Sequence, residues 1–386
     1  MSASLTPEER SHGEAVAALI RAEIAGAGGW LSFERFMELA LYAPGLGYYS
    51  AGSVKLGPGG DFVTAPEVSE LFGRCVARQC REVLGATGGG ILELGAGTGA
   101  LAGTILRELD AQAALPERYA ILEVSADLAE RQRARLASLP AHVRARLVWL
   151  ERLPEEKLRG VILANEVADA LPCRRFTLRG NEVRELGVAL GPDGALASAE
   201  AAAAAPLKAA CAPILGTPPR GFPDGYTSEV NLRLGPWIAS LGECLERGIL
   251  LLFDYGLPRA HYYHPQRVSG TLRCHFRQRA HDEPFINLGL QDITAWVDFT
   301  RVAEAGTDAG LEVAGFATQA AFLLALGLET LVAAAADAPT RARLAGEARR
   351  LVMPEEMGEA FKVMALARGS DAPLAGFTLQ DLRRQL

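Results

Sequence analysis

A glycine-rich turn preceded by an acidic residue carries the strongest chemical signal in the sequence. Glu93 lies near the end of a short apolar run, and Gly95, Gly97 and Gly99 follow at alternate positions. Glycines accept positive φ angles and let bare backbone N–H groups approach a ligand at the start of a helix. The spacing Gly95-x-Gly97-x-x-Ala100 also satisfies the dinucleotide-binding fingerprint. The turn therefore predicts a nucleotide-containing cofactor, and a plain packing turn is the structural alternative.

Glu93 favours one class of cofactor over another. A carboxylate just before the turn is poorly suited to a site that holds a pyrophosphate. It is well placed to accept a hydrogen bond, directly or through water, from the cationic amino-acid part of S-adenosyl-L-methionine. We therefore expect S-adenosyl-L-methionine as the cofactor, with an NAD(P)-dependent dehydrogenase as the alternative.

Polar residues also stand where further predicted strands should end. They are Glu123, the pair Asn165 and Glu166, and the pair Asp254 and Tyr255. Ligands of open α/β sheets bind at the carboxyl ends of the strands, so these side chains are candidate ligand contacts. Glu123 suits a ribose diol, which offers two donors to one carboxylate. The structural alternative is that Glu123 and Asp254 only cap the helices that follow.

Strands and helices that alternate along the chain must position these residues. The predicted strands are 91–94, 119–124, 147–150 and 161–164, and the predicted helices between them are 101–109 and 127–137. This alternation is typical of an α/β fold with a parallel sheet covered by helices.

The flanking regions follow other patterns. Thr6 starts one predicted helix, Ser32 caps another that runs to Tyr42, and Thr64-x-x-Glu67 has capping-box spacing ahead of a helix over 66–84. Turn residues within 174–197 predict an antiparallel meander. The remaining predictions are a helix or linker over 195–213, helices over 235–246, 292–305 and 320–336, and strands over 249–253 and 362–367.

Composition excludes several classes of function. The 386 residues carry a net charge of −7, which argues against a general nucleic-acid or anionic-membrane surface. The six cysteines are scattered without a C-x-x-C pair, so neither a metal site nor a disulfide framework is expected. The first ten residues resemble neither a signal peptide nor a transit peptide, and no charge-free apolar stretch is long enough to predict membrane insertion. A cytoplasmic protein is expected.

Taken together, these motifs resemble the class I S-adenosyl-L-methionine-dependent methyltransferases, which share the E-x-G-x-G-x-G turn and the acid that ends the second strand. More narrowly, the chain is similar to the family of MidA and the mitochondrial complex I assembly protein-arginine methyltransferase. The matching segments lie in family order at 60–67, around Gly95, and at 164–172, 254–256, 291–299 and 353–358.

The resemblance implies a fold, a domain plan and an activity. The fold is a Rossmann-like class I methyltransferase sheet with a helical N-terminal region and substrate-binding insertions. The expected regions are a helical region 1–84, a first half of the methyltransferase domain 85–173, an insertion 174–247, and a second half 248–386 with an inserted loop 255–291. The implied activity is protein-arginine N-methylation of a respiratory complex I (NADH dehydrogenase) subunit. An assembly factor that binds the cofactor with little turnover is the alternative.

Arginine methylation requires a carboxylate that can hold a planar cation, because a guanidinium stays protonated at neutral pH. Glu166 is the candidate for that carboxylate, together with Asp169 one turn later if a helix starts there. Asn165 is a candidate contact for the cofactor or the substrate. The alternative is that Asn165 starts a turn and that Glu166 pairs with a surface arginine.

The segment 60–67 has two interpretations. Its residues alone predict a loop followed by a capped helix. The resemblance implies instead that Gly60, Asp61 and Pro66 lie over the cofactor, with Asp61 as a polar contact.

A basic run lies in the inserted loop. It consists of Arg267, Arg273, Arg277 and Arg279 with His275 and His281. Because the protein is acidic overall and the run lacks helical spacing, an ion-paired surface is expected there, with contact to an acidic partner protein as the alternative.

Overall fold

The computed structural model describes residues 5–51, 64–180, 182–218 and 221–386. The helices, in chain order, are α1 (Pro7–Gly26), α2 (Phe33–Tyr42), α3 (Ala65–Val68), α4 (Glu70–Thr87), α5 (Ala100–Ala111), α6 (Ala126–Leu136), α7 (Ala141–Arg144), α8 (Ala205–Leu215), α9 (Leu234–Cys244), α10 (Arg259–Tyr262), α11 (Phe299–Asp308), α12 (Gln319–Ala325), α13 (Leu328–Ala333) and α14 (Ala338–Val352). The strands are β1 (Trp30–Ser32), β2 (Gly90–Leu94), β3 (Tyr119–Leu122), β4 (Leu147–Leu150), β5 (Leu158–Asn165), β6 (Arg174–Arg179), β7 (Glu182–Leu190), β8 (Leu196–Ala202), β9 (Thr227–Val230), β10 (Leu245–Leu257), β11 (Arg273–Phe276), β12 (Arg279–His281), β13 (Asp292–Thr294), β14 (Val297–Asp298), β15 (Glu312–Thr318) and β16 (Phe361–Arg368).

The chain folds into two compact units. The first takes its described residues from Met1–Phe62, Asp169–Leu234 and Arg259–Trp296, and the second from Val63–Ala168, Gly235–Pro258 and Val297–Leu386. Each unit has a hydrophobic cluster of its own.

The second unit contains the α/β sheet that the sequence predicts. Its strand order is β15-β16-β10-β5-β2-β3-β4, with β14 paired to β10. The strands β10, β5, β2, β3 and β4 are mutually parallel, and β16 runs antiparallel to both of its neighbours. The strands β3 and β4 lie on one side of β2, and the next strands in the chain that join this sheet, β5 and β10, lie on its other side. This reversal marks a topological switch point, where an α/β sheet opens a crevice for a ligand at its carboxyl edge.

Glycines at the amino ends of the central strands allow those strands to approach closely. Gly160 of β5 is in register with Gly90 of β2 and Gly248 of β10. Gly160 has φ +120°, and a Cβ at this position would lie 2.1 Å from the carbonyl oxygen of Gly90. Since backbone atoms cannot move away cheaply, no other residue fits without displacing the strands.

Gly160→Ala is therefore expected to lower the free energy of unfolding by about 3 kcal/mol or more, because the clash adds to the strain of a positive φ. The measurement is urea unfolding of the purified chain. Gly85→Ala is the matched control, since Gly85 is exposed in α4 and an added Cβ meets nothing within 4 Å. The control should gain about 0.5–1 kcal/mol from helix propensity. Equal effects of the two changes would contradict the close approach of β5 and β2.

The first unit combines the N-terminal helices with strands from the two later segments. The strand order of its larger sheet is β1-β7-β6-β9, with β8 paired to β7, and a smaller sheet has the order β12-β11-β13. The predicted meander is therefore present as the hairpins formed by β6, β7 and β8.

A chain of alternating charges crosses this unit. The carboxylate of Glu34 accepts hydrogen bonds from Arg174 Nε at 2.5 Å and from Arg233 Nε at 2.6 Å. Arg174 also donates to the buried Glu185, and Arg233 donates to Glu38. These ion pairs tie α2 to β6, to β7 and to the segment that follows β9.

The capping signals at the first two helices are confirmed. Thr6 and Glu9 form a reciprocal capping box at α1, and the Ser32 hydroxyl accepts the Arg35 N–H at α2. The single helix expected over 66–84 is wrong. Ser69 has an extended backbone and caps a new helix, so this stretch forms the short α3 followed by α4.

Other boundaries also differ from the sequence patterns. The stretch 195–213 forms β8 and α8, where a helix or linker is predicted. The helix expected from 292 begins only at Phe299, because 292–294 pair as β13 and Asp298 caps α11. The helix expected over 320–336 is divided at Gly327, which has φ +80°. Pairing with distant strands and local caps decides each of these cases.

Candidate functional site

The glycine turn links β2 to α5 at the carboxyl edge of the second unit's sheet. Gly95, Gly97 and Gly99 have φ values of +58°, +53° and +81°. The Gly95 N–H donates to the carbonyl of Leu122, which keeps the turn beside the end of β3. Every second residue of the turn thus has a backbone conformation that favours glycine, and the turn forms an open cradle before the first residue of α5.

Glu123 follows β3 directly beside this turn. Its side chain is buried, and its Oε1 accepts the N–H of Ser125 at 2.9 Å while its Oε2 accepts the Gln132 amide at 2.9 Å. Burial raises the pKa of Glu123, and the two donors oppose that shift. The structural alternative for Glu123 was that it only caps the helix that follows. In the structure Ser125 caps that helix, α6, because its hydroxyl accepts the N–H of Leu128. A carboxylate with two oxygens can accept further bonds from a ribose diol.

Val124 is a residue that the sequence analysis missed. The predicted strand included it, but β3 ends at Leu122 and the side chain of Val124 is 77% exposed. An exposed apolar side chain directly after the predicted ribose contact can pack against the face of an aromatic ring. We expect it to face the adenine of the cofactor. The only signal in the sequence is its place directly after Glu123.

Glu93 is buried within β2, one residue before its end. Its Oε2 accepts the hydroxyl of Tyr119 at 2.7 Å. Burial raises the pKa of Glu93 to about 7, and the nearby Glu123 adds to this rise while the Tyr119 hydroxyl opposes it. A cationic group close to this carboxylate would favour its ionised form.

The raised pKa predicts a pH dependence of cofactor binding. Below pH about 7 the free protein holds a proton on Glu93, and the cationic cofactor must displace it. Affinity for S-adenosyl-L-methionine should therefore fall by up to about tenfold per unit as pH drops below 7. For the same reason the unligated protein should lose stability as pH rises from 4.5, the ordinary value, to about 7. Calorimetric titration at pH 5.5–8 measures the first effect.

Glu93→Gln is the control for this titration. The cofactor's own amino group also titrates, with the pKa of about 8 expected of an α-amino group. Any change in affinity near and above that pH should therefore persist in the variant. The acidic fall in affinity should disappear in Glu93→Gln. Its persistence would show that another group is responsible.

Asn165 and Glu166 lie at the end of β5, next to β10. The Glu166 N–H donates to the carbonyl of Phe253, and its Oε2 accepts the hydroxyl of Tyr255 at 3.2 Å. Its Oε1 accepts the amide of Asn165 at 3.3 Å and the N–H of Ala65, the first residue of α3, at 3.4 Å. Among the described residues, the buried Oδ1 of Asn165 has no hydrogen-bond partner, so it is available to a donor of a bound ligand.

The backbone of Glu166 is strained. Its φ is +53°, a conformation that a non-glycine side chain adopts at a cost of about 1–3 kcal/mol. This conformation and the three donors orient the carboxylate at the carboxyl edge of the sheet.

Asp254 does not cap a helix as its structural alternative required. It lies within β10, and its buried carboxylate accepts the N–H of Ala168 at 3.0 Å. This bond supports the segment that leaves β5 after Glu166.

The remaining predicted site residues are placed as follows. No helix starts at Asp169 in the described chain, where 166–173 form bends and a turn, so the condition for placing it one turn after Glu166 is not met. Asp169 is buried in the first unit, where its carbonyl accepts the N–H of Ala295 and its charge helps to raise the pKa of Tyr49. Pro66 lies in the first turn of α3, where a residue without an N–H is tolerated. Gly60 and Asp61 lie outside the described residues.

Two of the four arginines in the basic run of the inserted loop are ion-paired to described residues. Arg273 pairs with Asp282, Arg277 pairs with Glu9, and Arg267 lies over the ring of Trp296. Within the described ranges there is no group of three or more His, Cys, Asp or Glu that could hold a metal ion. No helix in those ranges is both long enough and apolar enough to cross a membrane.

Known proteins are similar to this chain in sequence and in structure. A family model for S-adenosyl-L-methionine-dependent methyltransferases, Methyltransf_28, matches residues 75–317. A COG1565 superfamily protein from Burkholderia thailandensis, crystallised with S-adenosyl-homocysteine, is 40% identical, with a TM-score of 0.94 over 100% of both chains.

Two curated relatives extend the match to eukaryotes. Protein arginine methyltransferase NDUFAF7, mitochondrial, from Danio rerio is 28% identical over 92% of this chain and 90% of its own length. The Drosophila melanogaster homolog is 29% identical over 96% of this chain and 90% of its own length. The predicted fold class and the predicted cofactor are confirmed, and the dehydrogenase alternative is not supported. The chain belongs to the Methyltransf_28 family of S-adenosyl-L-methionine-dependent methyltransferases.

Proposed function

We propose that this methyltransferase is a protein-arginine N-methyltransferase that acts on a subunit of respiratory complex I. The observation that carries the proposal is the carboxylate of Glu166 at the end of β5, held by donors from three different parts of the second unit. The relatives named protein arginine methyltransferase support the acceptor class. The proposal implies that the partner of this chain is a protein with an exposed arginine.

The described residues fit the cofactor. The glycine turn provides a backbone cradle, Glu123 a carboxylate for the ribose, and Asn165 an unsatisfied buried acceptor. When bound, S-adenosyl-L-methionine would supply a methyl group activated by its sulfonium: an in-line nucleophile would bond to the methyl carbon while the carbon–sulfur bond breaks and S-adenosyl-homocysteine leaves. The protein therefore needs to align two groups and need not form a covalent intermediate.

Glu166 would perform that alignment for an arginine. Its carboxylate can accept two parallel N–H bonds from a planar guanidinium and thereby direct the remaining nitrogen. The positive φ of Glu166 and the Tyr255 hydroxyl hold the carboxylate in one orientation, which limits the entropy lost on binding. The negative charge also stabilises the cation during the transfer, and the proton that the nitrogen releases on methylation would pass to solvent, so that the product is again a guanidinium.

The test is incubation of the purified chain with methyl-labelled S-adenosyl-L-methionine and isolated complex I subunits from the same organism. Label on an arginine of one subunit, located by mass spectrometry, is the expected result. Label on another residue type would refute the arginine assignment. Tight cofactor binding without any label on the subunits would favour the assembly factor with little turnover.

A further inference from the structure

Gln132 of α6 lies between the glycine turn and Glu123. Its side chain is fully buried, and its Nε2 donates to the carbonyl of Gly97 at 3.0 Å and to Glu123 Oε2 at 2.9 Å. Its Oε1 accepts the indole N–H of Trp149, on β4, at 3.1 Å. The amide thus bonds at once to both parts of the predicted cofactor site.

The partners of the amide leave it only one orientation. A carbonyl and a carboxylate can only accept, so both require the NH₂ end, whereas an indole N–H can only donate and requires the oxygen end. A flipped amide would leave the buried Glu123 oxygen and the half-buried Gly97 carbonyl and Trp149 N–H without this partner, which is costly. The three partners together therefore determine which end of Gln132 faces Glu123.

Packing holds the same side chain in place. The Cα, Cβ and Cγ of Gln132 would lie 3.5–3.6 Å from a Cβ added at Gly99, so the stem of Gln132 packs directly against the turn. The bond from Gln132 also helps to keep the buried Glu123 ionised, since it opposes the rise in pKa that burial causes.

We propose that Gln132 is a positioning residue for the cofactor ribose, which fixes the Glu123 carboxylate against the glycine turn in the orientation that accepts the ribose hydroxyls. The proposal rests on the predicted contact between Glu123 and the ribose, and it does not depend on the identity of the methyl acceptor. A structural amide in the core is the competing explanation. If Gln132 positions Glu123, its replacement weakens ligand binding only through the ribose hydroxyls. If Gln132 is only a structural amide, its replacement weakens binding whether or not the ligand has those hydroxyls.

The experiment compares calorimetric binding of S-adenosyl-homocysteine and its 2′-deoxy analogue. The wild-type chain should prefer the parent compound by about tenfold, the range for one hydrogen bond to a charged group. Gln132→Met keeps the volume and removes the amide, so it should bind the parent compound about tenfold more weakly. The 2′-deoxy analogue keeps only the 3′-hydroxyl bond to Glu123, so its affinity should fall by a smaller factor, about threefold. Equal weakening of both compounds, or no weakening, would overturn the proposal.

Gln132→Glu keeps the proposal testable if the methionine variant does not fold. Two adjacent carboxylates repel each other until one is protonated, so its affinity for S-adenosyl-homocysteine, taken relative to that of the wild-type chain at each pH, should recover as pH falls from 8 to 6. A pH-independent loss would refute the positioning role. Glu130→Met, at an exposed position of the same helix, is the control and should leave binding unchanged.

Glu123→Gln tests the contact between Glu123 and the ribose separately from the role of Gln132. Loss of the preference for the parent compound in this variant supports the ribose contact on which the proposal rests. Retention of that preference would place the ribose elsewhere and would overturn the proposal, while leaving the function in arginine methylation untouched.

Discussion

Gly95→Val is expected to abolish binding of S-adenosyl-L-methionine, with an affinity loss of at least about 100-fold. The position has φ +58°, where a β-branched side chain is strained by about 1–3 kcal/mol. A Cβ there would already lie 3.4 Å from Val167 Cγ2, so the larger side chain must project into the cradle or shift the turn. Either movement removes the close backbone approach on which the cofactor depends.

Gly88→Val is the control that distinguishes the effect of backbone strain from the effect of blocking the cofactor site. Gly88 precedes the other end of β2, has φ +65°, and would place a Cβ no closer than 3.9 Å to any neighbour. This control should lose at least as much thermal stability, because φ +65° with ψ −158° is a conformation essentially confined to glycine, while its binding of S-adenosyl-homocysteine should be unchanged. Tight binding by Gly95→Val in the same titration would refute the placement of the cofactor at the turn.

Glu166→Gln is expected to lower kcat on the order of 100-fold or more while the chain still binds S-adenosyl-homocysteine. The size of the effect is that seen when one charge-stabilising contact is removed from an active site. Glutamine keeps the volume and can still accept the Tyr255 hydroxyl or the Ala65 N–H. It loses the charge and one of the two acceptor oxygens that a guanidinium would use.

The measurement is methyl transfer to the subunit identified by labelling, with cofactor affinity determined in parallel. Glu156→Gln, an exposed residue of the same unit, is the control and should retain full activity. Full activity of Glu166→Gln would exclude it as the residue that holds the acceptor. A loss of cofactor affinity with unchanged kcat would move its role to cofactor binding.

Local chemistry explains which features could be predicted from the sequence. Capping at α1 and α2 involves residues no more than three positions apart, and the turn at Gly95 depends on neighbours within a few residues. Their patterns are therefore complete in a short window of sequence. Glu123 was found for the same reason, since it follows a short apolar strand.

Long-range contacts explain what could not be predicted. The donors to Glu166 come from Ala65, 101 residues earlier, and from Tyr255, 89 residues later. Gln132 meets Gly97 and Trp149, which are 35 and 17 residues away. A glutamine inside a helix carries no sign of such partners, because helical periodicity records only whether a position is buried.

The sequence by itself determined the α/β class, the cofactor turn and the acids at the strand ends, since strand and turn patterns are local. Only the tertiary structure decided how the chain divides into two units, that Glu166 has a strained backbone, and that Gln132 links Glu123 to the turn. The physical reason is that hydrogen-bond partners far apart in the chain are selected by strand order and packing, which the short-range pattern of residues does not contain.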